Sequence, residues 1–234
     1  MKSRKLTTIG CVALAGLLCT FLAASPVLAD IITFDLTTGN TALGGATACG
    51  GVPCPPDYAS VKVDRTSSTT ADITFTGLTQ GVFTYTLGDG STVALNVNAT
   101  TFTVGTVTEQ APGDFKQTNI GSQQVDGWGL FNFTVDNNDG FNASTHSVSF
   151  TLTDVSGTWA DAESVLVANS GGSRAAAHIY AAGDDCDGAC VTGFAAGTGD
   201  NNLPPTQVPE PATMMLLGSG LLMAAAGGRF LFKK

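Results

Sequence analysis

Polar and apolar residues alternate at period two along most of this chain, the pattern of strands with one buried face. A short starter strand is predicted over 31–36. Val61 and Val63, then Ile73 and Phe75, alternate with polar neighbours in two further strands, 60–65 and 69–76. The stretch 82–87 alternates again and closes on the turn triplet Gly88-Asp89-Gly90. Strands over 92–97 and 101–107 are separated by Asn98-Ala99-Thr100, and a polar loop over 109–124 leads to a strand at 129–135. Asn137-Asn138-Asp139-Gly140 turns the chain into 147–155, where Val148, Phe150, Leu152 and Val155 alternate with polar residues. Strands over 164–168 and 176–181 complete the series. No stretch holds a convincing helical period, although 159–167 has room for one turn. Roughly ten short strands with turn signals between them predict an all-β fold, an antiparallel β-sandwich of Greek-key or jelly-roll type.

Both ends of the chain break this pattern. Residues 1–29 read as a secretory signal peptide: Lys2, Arg4 and Lys5 precede an apolar run over 9–24, and Val27-Leu28-Ala29 forms a small-residue cleavage site before Asp30. The expected ectodomain covers 30–196, and a Gly-, Asn- and Pro-containing flexible linker covers 197–207. At the other end, Val208-Pro209-Glu210-Pro211 is followed by an apolar stretch, then by Arg229 and the pair Lys233-Lys234. Two of the three residues in Pro-Glu-Pro lack an N–H, so the motif neither continues a helix nor pairs as a central strand. The apolar stretch, with Arg229 snorkelling, is long enough to predict a transmembrane helix over about 212–232, with the basic tail in the cytoplasm.

This order of motif, apolar stretch and basic tail resembles the PEP-CTERM sorting signal of Gram-negative bacteria that make exopolysaccharide. The resemblance covers 208–234. It implies that the chain is the substrate of an exosortase, a membrane transpeptidase with a cysteine nucleophile that cuts near the motif. The implied route uses the secretion translocon, an inner-membrane-anchored precursor with its body in the periplasm, and delivery to the cell surface or extracellular matrix. A second resemblance runs through Ser164-Val165-Leu166-Val167-Ala168-Asn169, Ala175-Ala176-Ala177-His178-Ile179 and Cys190-Val191-Thr192-Gly193-Phe194. It is similar to the C-terminal part of many PEP-CTERM ectodomains, which carry an Ala-Ala-His strand and a Cys-containing Thr-Gly-Phe segment before the sorting signal.

Charge narrows the partners. Between residues 30 and 207 lie 18 of the 19 acidic residues but four of the 10 basic ones, Lys62, Arg65, Lys116 and Arg174, for a formal charge of −14. A body this acidic is repelled by nucleic acid and by anionic membrane surfaces. Its cysteines form two close pairs, Cys49 with Cys54 and Cys186 with Cys190, and an oxidising compartment favours disulfides. Four cysteines allow three connectivities. The local scheme is expected, because each loop is rich in Gly, Pro or Asp; a four-thiolate zinc site is the rival.

The search for chemistry yields little that converges. No G-x-S-x-G, H-E-x-x-H or Walker pattern occurs. His178 lies in an apolar strand and reads as structural, His146 beside a turn reads as solvated, and Glu109 and Glu163 form no marked pair. The loop over 136–140 fails as an EF-hand, since its sixth-position glycine would put Val135 first and His146 twelfth. Asp184, Asp185 and Asp187 around Cys186 form the one candidate calcium cluster. Trp128 and Trp159 are candidate sugar-stacking aromatics, although burial is the commoner fate of a tryptophan. The expectation is a non-enzymatic, exported surface or matrix protein with a structural or biofilm role. A carbohydrate-binding module, with a contact to exopolysaccharide, is the alternative; a secreted hydrolase stands third.

Overall fold

Alternation becomes strand after strand in the computed structural model, which describes residues 30–109, 117–137, 144–183 and 191–199. The chain first forms β1 (Asp30–Leu36), β2 (Thr38–Gly39), a one-turn helix α1 (Thr41–Gly44), β3 (Ala59–Arg65) and β4 (Thr70–Gly77). Next come β5 (Thr79–Gln80), β6 (Phe83–Leu87), β7 (Val93–Leu95), β8 (Phe102–Val104) and β9 (Thr108–Glu109). β10 (Gln117–Val125), β11 (Gly129–Asp136), β12 (Ser147–Asp154), a 3₁₀ turn (Glu163–Val165), β13 (Ala175–Gly183) and β14 (Thr192–Gly197) follow.

These strands make two antiparallel sheets. Sheet I has the order β1-β3-β4-β12-β8, with β9 also pairing β12. Sheet II has the order β10-β11-β7-β13-β14-β2. One side of β13 pairs β14, and the other is shared between β7, at Ala175 to Ala177, and β6, at Ile179 to Gly183. The two inner faces meet in one core. Sheet I contributes Phe34, Val61, Val63, Ile73, Phe75, Val148, Phe150 and Leu152; sheet II contributes Tyr85, Leu87, Leu95, Phe133, Val135 and Ile179. Fully burying each of these large side chains stabilises the fold by about 1.5–3 kcal/mol before the cost of ordering it. Phe133 ties the sheets together, with its ring edge-on to Phe102 at 6.2 Å and to Phe150 at 5.1 Å.

β14 packs differently, through small residues. A Cβ on Gly197 would come within 2.6 Å of the Asp35 carbonyl, and one on Gly193 within 2.7 Å of Asn40 Oδ1 and 2.9 Å of Leu43 Cγ. The glycines let β1 and α1 close onto the inner side of β14, an approach no larger residue permits.

Several expectations need correction. The polar loop predicted over 109–124 contains β10, an edge strand with a register shift between Ile120 and Gln123. Apart from Ile120 and Val125 it carries polar residues and one glycine, so no alternation marks it. The strand predicted over 164–168 is the 3₁₀ turn followed by a single bridge, Val97 to Leu166. β14 lies beyond 176–181, the last strand that the alternation predicts.

The C-terminal transmembrane helix is also corrected. No helix among the described residues is long and apolar enough to cross a membrane, and the segment 212–232 itself lies outside the described residues. Membrane anchoring through that helix, and the inner-membrane-anchored precursor that depended on it, are withdrawn with it.

Candidate functional site

The first cysteine pair is a disulfide, Cys49 to Cys54, with Cα atoms 4.9 Å apart and both residues buried. It closes a loop that the rest of the fold grips firmly. Asn40 caps α1 by accepting the Ala42 N–H, and the Cys54 N–H donates to the Leu43 carbonyl at 3.0 Å. Tyr58 donates to the Cys54 carbonyl and Tyr85 to the Pro55 carbonyl, at 3.2 and 2.7 Å, and their rings pack 5.2 Å apart. Burial raises both phenols above their ordinary range; Asp57 adds to the effect on Tyr58, and Tyr58 to that on Tyr85. Both tyrosines therefore stay protonated hydrogen-bond donors that hold the loop down.

His178 sits on the outer side of sheet II, directly opposite Phe194, and the two rings stack at 4.1 Å and 20°. Its Nδ1 lies 3.2 Å from the Gly90 carbonyl. Burial lowers its pKa below the ordinary 6.5, against weaker opposing effects of the Gly90 hydrogen bond and of Asp89. Beside it, Ala94, Val125, Phe131, Ala176 and Ala196 form a second small cluster, against which Trp128 and Phe194 pack. The two tryptophans are both tied to backbone carbonyls. Trp128 Nε1 donates to Phe194 at 3.2 Å, and the buried Trp159 donates to Asn98 at 2.8 Å. His146 is half-buried in a bend, where its carbonyl accepts the Gly77 N–H. Glu163 is paired with Arg174 at 3.0 Å, and Glu109 lies in β9. Among the described residues no group of three or more His, Cys, Asp or Glu side chains is placed to hold a metal.

A polar cleft of about 450 Å³ opens where the turn after β7 meets the turn after β12. Its floor is Asp154, the last residue of β12, only 5% exposed. Asp154 Oδ1 accepts three hydrogen bonds, from the Ser156 N–H at 2.8 Å, the Ser156 hydroxyl at 2.9 Å and the Gly157 N–H at 2.9 Å. Burial alone would raise the carboxyl's pKa, but these donors outweigh it and hold the group below 3.8. The opposite wall is equally fixed. Asn132 clamps the Val97 backbone through Oδ1 and Nδ2, at 2.7 and 2.8 Å, and Asn98 Nδ2 donates to the Ser164 carbonyl at 2.9 Å. Sequence reasoning passed over this place. The available signal was Asp154-Val155-Ser156-Gly157 at the end of a clean strand, the composition of an Asx turn.

The other predicted residues lie outside the described residues: Ala29 of the cleavage site, Cys186 and Cys190, Asp184, Asp185 and Asp187, and Val208, Pro209, Glu210 and Pro211. Asp30 is the first described residue, and its Oδ2 accepts the Ala162 N–H at 2.9 Å. Comparison with known families finds the PEP-CTERM protein-sorting motif at residues 207–232. No curated protein and no solved structure matches the chain significantly. The chain therefore carries a C-terminal PEP-CTERM sorting motif, the recognition element of exosortase-dependent export, behind a β-sheet body.

Proposed function

We propose that this chain is a non-enzymatic structural protein of the cell surface or exopolysaccharide matrix, delivered there by exosortase-dependent sorting. The observation that carries the proposal is the sorting motif at 207–232. The body lends support in two ways. Its tryptophan N–H groups and His178 are engaged in packing and backbone hydrogen bonds rather than gathered around a reaction centre. Its outer sheet I face is polar: Ser60, Thr76 and Ser147 stand in one cross-strand row, and Lys62, Thr74 and Ser149 in the next.

The test is fractionation of the producing bacterium. The protein should be recovered with the cell surface and extracellular matrix, and a deletion strain should lose matrix cohesion while keeping its secreted hydrolase activities. Retention of the protein inside the cell, or loss of a hydrolytic activity that returns with the purified chain, would overturn the proposal.

A further inference from the structure

We propose that the cleft floored by Asp154 binds a neutral polyhydroxylated ligand, of the chemical class of a hexose unit. The inference is independent of the sorting motif and would stand for a chain delivered by any route.

Asp154 is buried, yet only half of its carboxylate is used. Oδ1 takes three protein donors, whereas Oδ2 has no donor among the described residues and is not sealed from the cleft. Oδ2 therefore takes its hydrogen bonds from water or from a ligand. Three more polar atoms wait around it. The Thr100 and Thr158 hydroxyls line the cleft without a protein partner among the described residues, and Asn98 spends Nδ2 on Ser164, which leaves Oδ1 to accept. Gly157 keeps the approach open, since a Cβ there would lie 3.3 Å from Asp154 Oδ2.

The donor set selects the ligand. Calcium takes six to eight oxygens, several of them from carboxylates, and this cleft has one. An anionic ligand would face the fixed charge of Asp154 directly. A neutral polyol fits both needs: its O–H groups donate to Asp154 Oδ2 and Asn98 Oδ1, and its oxygens accept from the two threonines.

The test uses the full chain and three probes, the methyl glycosides of glucose, mannose and galactose. Saturation-transfer NMR reports contact, and Trp159 fluorescence reports the cleft, because its Nε1 is bonded to Asn98. At least one glycoside should bind saturably, with a Kd on the order of 10⁻³ M. Asp154→Asn should weaken that binding at least about tenfold, by removing the charged acceptor. Gly157→Ala, which keeps the carboxylate and crowds it, should do the same; it carries the test if Asp154→Asn fails to fold. No saturable signal with any of the three, undiminished binding in the folded variants, or a Trp159 response to calcium and to none of the sugars would each overturn the assignment.

Discussion

His178 and Phe194 face each other across the β13–β14 ladder with their rings stacked 4.1 Å apart, and each belongs to one half of the two-part motif noticed in the sequence. The Ala-Ala-His and Thr-Gly-Phe segments are thus neighbouring strands. Two residues of the second have defined physical tasks. Gly193 admits α1 to the inner side of the strand, and Phe194 covers His178 on the outer side while its carbonyl receives the Trp128 N–H. The two segments pack against each other and against α1 and Trp128.

Protonation of His178 should therefore weaken the fold. Its folded pKa lies below the unfolded value near 6.5, so the unfolded chain binds the proton more readily. Its contribution to stability is full above that value and is lost as pH falls through the lower, folded pKa. Thermal melts of the wild type should step downward across that window. His178→Gln, which removes the titrating group, should flatten the step; an unchanged step in the variant would assign it elsewhere.

Gly193→Ala tests the close approach of α1. The added methyl must displace Asn40, Ala42 or Leu43, a crowding that costs about 1–3 kcal/mol. Urea denaturation should show a lower midpoint with an unchanged slope. Full stability would mean that α1 packs more loosely than described.

Removing the disulfide should cost little more than its short loop predicts. A chain-entropy estimate for Cys49 to Cys54 gives about 2 kcal/mol, and the Cys49→Ala, Cys54→Ala double variant should melt about 4–8 °C lower. Non-reducing peptide mapping should recover the Cys49–Cys54 cross-link, and with it Cys186 joined to Cys190, the pairing the sequence suggests. Cross-links between the two pairs would refute the local scheme.

The Asp154 turn has its own acid signature. Because three donors hold the carboxyl below its ordinary value, its stabilisation is present above pH 3.8 and lost as pH falls through the folded pKa. Asp154→Ala should melt several degrees below the wild type at neutral pH, and the two curves should converge in acid. A constant gap at all pH values would mean that the loss is one of packing alone.

What the sequence revealed followed from side-chain contrast. β12 was readable because Val148, Phe150 and Leu152 alternate with Ser and Thr, and β1, β3, β4 and β11 were readable for the same reason. β14 was not, because its inner positions are Gly193, Ala195 and Gly197, which give periodicity nothing to register. β10 escaped because an exposed edge strand of Gln, Asn, Ser and Thr looks like a loop. The Cys49–Cys54 bond was legible from spacing. The Asp154 cleft was not, since Asn98 and Thr100 reach Asp154 only through the pairing of β8 with β12. The apolar C-terminal stretch misled in the opposite direction: hydropathy alone suggested a spanning helix that the described structure does not support.

The central claim, that this chain is sorted and cut through its C-terminal motif, is tested most directly by mass spectrometry of the exported protein from the native bacterium. The mature form should end at or before Ala212, with no peptide from 214–234. Pro209→Ala or Glu210→Ala should leave those residues attached. A wild-type mature protein that still carries the sequence beyond Ala212 would contradict the account.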